Sequence, residues 1–476
     1  MNVLTFRTAR GHYAYDGASN LLAEVGPRIA QALRAQGAES CDPVPASGPE
    51  PYPDPDPAAE AAIAQARKGL GLFRPAPGGA PEPALEPAAL HDALARGRRT
   101  LMLQLTDACN LRCGYCVYAG THPGRPAHGT TQMSPAVAEA AIAEFFAHAT
   151  QTEGPLGLGF YGGEPLLNRK VMKFALDLFR SRAGGREILP ALTTNGTLLN
   201  GAAGDILAGN AVAVMVSLDG PPRIHDAQRR LRRGGGSFDR VVANLRALQA
   251  RHPAWFDTHV QLSVTLGPET DLAALDAFFT EFPVARLSAN ALETPTGTAP
   301  PAQDQVETML ARHLNGARAG RLGRRAPEMR LAEALFAPAL RKIHRRRPQA
   351  PDTGPFTPGG ACIPGVDKTF VSPKGRYFLC EKLDGQDAAA IGDVEHGLDV
   401  AAAQAVLTRF HALLGDECRG CWAFRLCGIC PAHVIRDGRF DPEARRAACA
   451  LRKRGLARLM RHYCEIREVA PDALGP

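Results

Sequence analysis

Along the middle of the chain, short apolar runs alternate with longer stretches in which apolar residues recur every three or four positions. The strand-like runs are Leu101–Leu105, Leu156–Tyr161, Ile188–Thr193, Val212–Ser217 and His259–Leu266. Between them fall the helix-like stretches Ala136–Ala147, Lys170–Arg182, Phe238–Gln249 and Leu272–Phe279. This alternation predicts an α/β fold with a parallel sheet, in outline a partial β/α barrel. Active sites in such barrels gather at the C-terminal ends of the strands, so polar residues just after each run are the ones to examine.

The first hundred residues follow another rhythm. Thr5–Val25 reads as two short strands around an Asp16-Gly17 turn, followed by the helix-like Ile29–Ala35. Cys41–Pro57, dense in Pro and acid, predicts a loop; Ala58–Leu70 predicts a helix, Leu72-Phe73 a short apolar exit, and Ala76–Pro87 a second Pro-rich linker. The expected divisions are an N-terminal α+β element over 1–90, a barrel over 95–300, a helical bridge over 301–360, a cysteine-rich domain over 361–455 and a tail over 456–476.

A length of 476 residues suits two or three domains, and 45% hydrophobic content supports large cores. No apolar span approaches the roughly 18 residues that cross a bilayer, and no secretory signal opens the sequence, so the expectation is a cytoplasmic protein without membrane contact. The 55 Lys and Arg against 48 acids leave a charge of only +7, concentrated in runs such as Arg229–Arg233 and Arg341–Arg347. Without stacking aromatics or a binding motif these runs do not point to nucleic acid.

The candidate chemistry lies in cysteines. Cys109, Cys113 and Cys116 form a Cys-x3-Cys-x2-Cys run after the first barrel strand, with Tyr115 before the last. A zinc site would want a fourth ligand; His122 and His128 are nearest, and neither stands at zinc-finger spacing. The run resembles the signature of the radical SAM superfamily, in which three thiolates hold a [4Fe-4S] cluster and S-adenosyl-L-methionine chelates the fourth iron. Three strand-end segments resemble the same family: Gly159-Phe160-Tyr161-Gly162-Gly163-Glu164-Pro165, Leu192-Thr193-Thr194-Asn195-Gly196-Thr197, and Val214-Met215-Val216-Ser217-Leu218-Asp219-Gly220-Pro221. The resemblance implies a partial (β/α)6 barrel whose cofactor contacts come from Tyr115, Gly162, Gly163, Glu164, Asn195 and Ser217. Glycines would let backbone carbonyls approach the ligand, and Glu164 suits an ammonium. The run from Arg229 to Arg233, just after the Ser217 segment, suits the cofactor's carboxylate or an acidic peptide. Cys116-Val117-Tyr118-Ala119-Gly120, with Arg125, His128 and Met133, looks more like peptide maturases than sulfatase activators.

Near the C-terminus, Cys362, Gly375 and Cys380 precede Cys418-x2-Cys421-x5-Cys427-x2-Cys430 and then Cys449. Disulfides or a pair of zinc sites are the plain alternatives. The pattern resembles the SPASM/twitch iron–sulfur domain of radical SAM enzymes, save that its last short gap has two residues where the usual pattern has three. The resemblance implies three [4Fe-4S] clusters in all. One auxiliary cluster would be closed by Cys418, Cys421, Cys427 and Cys449. The other would be held by Cys362, Cys380 and Cys430, its fourth position open to a substrate thiol or filled by Cys41, Cys464 or a non-cysteine side chain. Glu381 stands where related sulfatase-maturing enzymes place an aspartate proposed as proton acceptor.

The N-terminal α+β element resembles the peptide-recognition element of peptide-modifying enzymes, which adds an extended leader to a sheet edge. Together these resemblances imply a radical SAM peptide maturase acting on a ribosomally synthesised precursor peptide. The cross-link would be a Cys thioether; a carbon–carbon link or a sulfatase formylglycine is the alternative. A low-potential donor such as flavodoxin or ferredoxin would supply electrons. A non-catalytic iron–sulfur or zinc scaffold is the reading from another class, and the Gly162-Gly163-Glu164 turn argues against it.

Overall fold

The computed structural model describes residues 1–42, 56–74, 86–122, 127–149, 153–294, 297–349, 362–363 and 365–475. The predicted loop at 41–57 and linker at 76–87 fall mostly outside these residues, and so does Arg125.

The N-terminal sheet holds β1 (Val3–Arg7), β2 (His12–Asp16), β3 (Leu21–Val25) and the short β4 (Glu39–Ser40), in the order β3-β2-β1-β4. Two strands were expected here and three antiparallel ones form, because a first turn closes where Thr8 N donates to Gly11 O at 2.9 Å, ahead of the Asp16-Gly17 turn. Buried Asp16 accepts from Ala18 N, Ser19 Oγ and Phe73 N, so it fastens its own turn and the apolar exit Leu72-Phe73 together. Helices Pro27–Ala35 and Pro57–Leu70 cover one face through Leu33 and Ile63.

The barrel strands are β5 (Thr100–Thr106), β7 (Leu156–Gly162), β8 (Ile188–Thr194), β9 (Ala213–Ser217), β11 (Val260–Leu266) and β12 (Leu287–Thr294), all parallel to their neighbours. Two short strands, β6 (Leu111–Cys113) and β10 (Arg229–Leu231), pair beside them. Five of the six barrel strands match the apolar runs. The sixth, β12, alternates Leu, Ser, Ala, Asn and is only half-buried, so it carries no apolar run to find. The helices lie where predicted: Pro135–Ala147, capped by Ser134 Oγ, buries Ala138, Ala141, Ile142 and Phe145, and Arg169–Arg182 buries Val171, Met172, Ala175, Leu176 and Phe179.

Beyond β12 a short β13 (Gly297–Ala299) returns antiparallel. On the far side of β5 the cysteine-rich region joins the same sheet. There β14 (Thr369–Val371) pairs parallel with β5, and β15 (Arg376–Phe378), β16 (Ala390–Asp393) and β17 (Gly397–Leu398) follow antiparallel. Among the described residues eleven strands are thus continuous. The helices Gln303–Arg318 and Arg330–His344 form the bridge. Residues 456–469 are not a tail but the second half of the helix Pro442–Val469, because Met460, Tyr463 and Ile466 recur at helical spacing and bury against the bridge.

Candidate functional site

The C-terminal ends of the barrel strands face one cavity of about 1220 Å³. Cys109, Cys113, Tyr115 and Cys116 line it with Gly162, Gly163, Asn195, Ser217 and Arg229, and Glu381, Lys382 and His433 line it from the cysteine-rich domain. Burial pushes the Cys109 thiol up to about 12, with Cys113 and Cys116 adding to the shift; burial likewise pushes Cys113 up to about 11 and raises Cys116. A bound metal would reverse that sign, since a coordinating thiol is deprotonated.

Among the described residues no three His, Cys, Asp or Glu side chains converge on a single-ion point, so the fit to a cluster rests on other observations. The three thiols are free and share one wall, and donors are aimed at the sulfurs. Leu111 N lies 3.4 Å and Asn195 Nδ2 3.8 Å from Cys109 Sγ. This donor set suits thiolates holding a shared anionic cluster.

The glycine turn after β7 serves a purpose the sequence did not reveal. A Cβ on Gly163 would stand 2.2 Å from Ala108 O, and one on Gly162, at φ +134°, would stand 2.4 Å from Thr106 O. The close approach these glycines permit is to the cysteine loop: Gly163 N donates to Thr106 O and Glu164 N to Ala108 O, at 2.9 and 2.8 Å. Glu164, expected at the cofactor's ammonium, is fully buried and absent from the cavity wall. Its Oε1 accepts from Leu166 N and Thr194 Oγ1 and its Oε2 from Asn195 N, so it braces the ends of β7 and β8. Burial pushes its carboxyl up to about 7 against those three donors. Asn195 is also a brace: its amide donates to Asn110 Oδ1 at 2.9 Å, tying β8 to the cysteine loop.

Arg229 is buried, with its Nε 2.7 Å from Asp219 Oδ2 and its guanidinium 5.3 Å from the Tyr115 ring centroid. Tyr115 donates its hydroxyl to the same Asp219 oxygen, and Thr265 N donates to Oδ1. Burial alone would lower the Arg229 pKa; Asp219 more than offsets it, and the guanidinium stays charged beside Cys113. Asp219 went unnoticed in its strand-end segment because nothing local marks it as the hub of this network.

Glu381 also lines the cavity, but its Oε2 lies 2.9 Å from Lys368 Nζ, so it is an ion-paired carboxylate. Its neighbour Lys382 pairs with Glu293 from the end of β12, which links the cysteine-rich domain to the sixth barrel strand. Cys418, Cys427 and Cys449 gather in one apolar cluster with Phe410, Phe424 and Ile429, and Cys421 faces Cys418. Cys430 faces both Cys380 and Cys362. Cys41 packs against Ala457 and Arg461, and buried Cys464 sits beside Tyr13 and Glu468; neither faces Cys430. His433, a cavity residue the sequence reading passed over, lies 3.1 Å from Cys430 Sγ through Nδ1; burial, with Arg452 and Lys382, pushes it down to about 4. Its place three residues after a cysteine at a helix start was the available signal.

Residues 103–276 match the family model for the radical SAM superfamily, and this segment is a radical SAM domain. Such domains work with an iron–sulfur cluster and S-adenosylmethionine. A serine-type anaerobic sulfatase-maturating enzyme of Bacteroides thetaiotaomicron is 33% identical over 151 residues, 31% of this chain and 35% of that protein. A probable GTP 3',8-cyclase of Methanopyrus kandleri is 31% identical over 183 residues, 38% of this chain and 52% of that protein. The chain thus spans about a third to a half of the length of these curated relatives. Native anSMEcpe with bound AdoMet superposes with a TM-score of 0.56 at 18% identity, covering 79% of this chain and 98% of that one, a likeness of fold. No helix among the described residues is long and apolar enough to cross a membrane.

Proposed function

We propose that this protein is a radical SAM maturase that cross-links a ribosomally synthesised precursor peptide. The observation that carries the reading is the shared cavity, about 1220 Å³ in volume. It is lined both by the Cys109–Cys116 loop and barrel strand ends and by Glu381, Lys382 and His433 of the cysteine-rich domain. That volume has room for a cofactor and a peptide segment together. Cys109, Cys113 and Cys116 would hold the [4Fe-4S] cluster that, with S-adenosylmethionine bound, supplies a 5′-deoxyadenosyl radical.

The chain's own residues divide the remaining work. The Gly162-Gly163 turn, Glu164 and Asn195 hold the cysteine loop in place; Ser217 presents a hydroxyl to the cavity, and Arg229, paired with Asp219, braces Tyr115 beside the cysteines. The Cys418, Cys421, Cys427 and Cys449 group and the Cys362, Cys380 and Cys430 group would hold two auxiliary clusters. Cys41 and Cys464 pack away from the second group, which supports a position there open to a substrate thiol and hence a thioether product. Joining C–H to S–H removes two hydrogens: one would pass as an atom to the 5′-deoxyadenosyl radical, giving 5′-deoxyadenosine, and the other would leave as a proton and an electron, the electron going to the auxiliary clusters that the two cysteine groups would hold. Glu381 and Glu293 are the carboxylates placed to take that proton, each now neutralised by a lysine. The N-terminal sheet would hold the leader along β3, and an external low-potential donor would deliver electrons.

The sulfatase-maturating relative favours formylglycine formation as the second reading. Both readings are tested by anaerobic reconstitution with iron and sulfide counts and dithionite-driven 5′-deoxyadenosine formation. About twelve irons are expected, about eight in the Cys109→Ala/Cys113→Ala/Cys116→Ala variant with cleavage lost. A Cys-containing precursor losing two hydrogens supports the thioether; turnover only of a sulfatase-derived peptide supports formylglycine; zinc in place of iron overturns both.

A further inference from the structure

Cations outnumber carboxylates around the cavity. Arg229, Lys342, Lys382, Arg436, Arg452 and Arg454 line it, against Glu293 and Glu381 among the described residues. Both glutamates are already neutralised, Glu381 by Lys368 and Glu293 by Lys382, and Arg229 is held by Asp219. Lys342 lies in the field of Cys427 and Lys382 in that of Cys430, so these two lysines serve the sulfurs. The surplus charge therefore rests on the arginines of the cysteine-rich domain.

Arg452 and Arg454 sit on the helix Pro442–Val469, and its period fixes their placement. Ala444, Ala448, Leu451 and Gly455 recur at three- and four-residue steps and line the cavity as one stripe. The two arginines lie about 160° apart around the helix axis, one on each side of that stripe. Both are exposed, and neither has an ion pair among the described residues; Arg452 Nη2 meets His433 Nε2 at 3.2 Å. The stripe itself is an open floor, since a Cβ on Gly455 would meet nothing within 4 Å. Further along the same helix Met460 and Tyr463 are large and buried, so the small residues here leave room where the rest of the helix packs. Exposed arginines on a helix ordinarily mark a solvated face. These two instead border a cavity whose floor is short of side chains.

We propose that the precursor segment taken into the cavity is acidic, its backbone lying along the stripe and its carboxylates meeting Arg452 and Arg454. This deepens the maturase reading above and rests on it. Guanidinium–carboxylate pairs are charge-assisted and directional, and they strengthen where part of the water is excluded. Arg436, whose Nη2 stands 3.8 Å from a Cβ built on Gly297 of β13, adds a third cation to the lining. The spacing also favours a peptide over other polyanions. A triphosphate needs cations that converge on one group, whereas arginines on opposite flanks of a helix suit carboxylates set apart along a chain.

The test is anaerobic fluorescence anisotropy on full-length, iron-reconstituted protein with S-adenosylmethionine present, the iron content of every variant being matched to that of the parent. The probes are three fluorescein-labelled peptides that share one Ala-Gly-Cys framework and carry three Glu, three Gln or three Lys. The Glu probe should bind about tenfold more tightly than the Gln probe, and the Lys probe most weakly. Arg452→Gln and Arg454→Gln should each weaken the Glu probe about threefold or more while sparing the Gln probe. Gly455→Leu, which fills the floor, should weaken both alike. Arg324→Gln removes the same charge from an exposed turn outside the cavity and should change nothing. Equal affinity for the Glu and Gln probes overturns the proposal and leaves the maturase reading standing. So does a loss in Arg324→Gln that matches the loss in Arg454→Gln, since it marks general attraction to a basic protein. GTP that displaces the Glu probe more effectively than the unlabelled Glu peptide makes the cavity a nucleotide site and overturns the proposal too. Saturable binding of none of the three probes strikes the maturase reading itself.

Discussion

Gly17 lies against the backbone of Trp422: a Cβ at Gly17 would stand 2.2 Å from Trp422 O and 3.0 Å from Trp422 Cα. Trp422 directly follows Cys421, so the tight turn of the N-terminal sheet is seated on the cysteine-rich loop. Further contacts surround the seat. The Tyr15 and Trp422 rings meet edge to face at 6.2 Å, Trp422 Nε1 donates to Glu39 Oε2 at 3.2 Å, Asn2 donates to Arg419 O, and Lys453 pairs with Glu39.

Because the obstacle to a Cβ is backbone, Gly17→Ala should loosen this docking by about 1–3 kcal/mol, the usual cost of overpacking. Gly26→Ala, where nothing lies within 4 Å, is the control and should be near neutral. Limited proteolysis reads the difference: cleavage within residues 1–42 should accelerate in Gly17→Ala alone. Equal rates in the two variants would refute the seat.

The buried Asp219–Arg229 pair should reveal itself by asymmetry. Asp219→Asn leaves a buried guanidinium without its counter-charge, which costs on the order of 3–5 kcal/mol when one partner of a buried pair is removed. Asp219→Asn/Arg229→Met removes both charges and should recover much of that loss. Denaturant midpoints of the three proteins check this; a double variant less stable than the single would show that the pair is not coupled.

Glu164 predicts a pH dependence with a definite sign. Its folded pKa is raised to about 7 from 4.5, so the native state holds a proton that the unfolded chain has released between those values. Stability from this group is therefore full below about pH 4.5, falls as the pH rises, and has lost roughly 3 kcal/mol above pH 7. Glu164→Gln does not titrate. Between pH 5 and 7.5 the wild type should lose more stability than the variant, and identical slopes would exclude an uncompensated buried carboxyl.

The barrel was largely legible because five of its strands carry apolar residues at their buried positions and so read as apolar or alternating runs, with helices of regular period between them. β12 was not, since Ser288, Asn290 and Glu293 put polar side chains on a half-buried strand. The cysteines were legible through spacing alone. What the local sequence could not show was partnership over long separations. Glu164 reaches Thr194 and Asn195 across two strands, Arg229 turns inward to Asp219, Glu381 is taken by Lys368, and Gly17 finds Trp422 some four hundred positions away. In each case an assigned role depended on whether the group was already engaged, and tertiary packing decides that.

His313 and His462 join the bridge helix Gln303–Arg318 to the helix Pro442–Val469 through a bond of 3.0 Å between His313 Nδ1 and His462 Nε2, with Glu465 beside His462 Nδ1 at 3.4 Å. Glu465 orients the chain of donors: His462 Nδ1–H points to the carboxylate, so His462 Nε2 accepts from His313 Nδ1–H. That leaves His313 Nε2 as a buried lone pair without a partner. Burial pushes His313 down to about 3, with His462 adding to the shift, so the folded ring stays neutral where the unfolded one charges. The stability it contributes is complete above pH 6.5 and drains away as the pH falls toward 3, at up to about 1.4 kcal/mol per pH unit. His313→Leu removes the titrating group and fills the same apolar surroundings, near Phe336. Between pH 7.5 and 5 the wild type should therefore lose about 2 kcal/mol more than His313→Leu in denaturant unfolding. An equal loss would mean that water or a rearranged Glu465 reaches His313 and that a neutral His313 does not clamp the two helices.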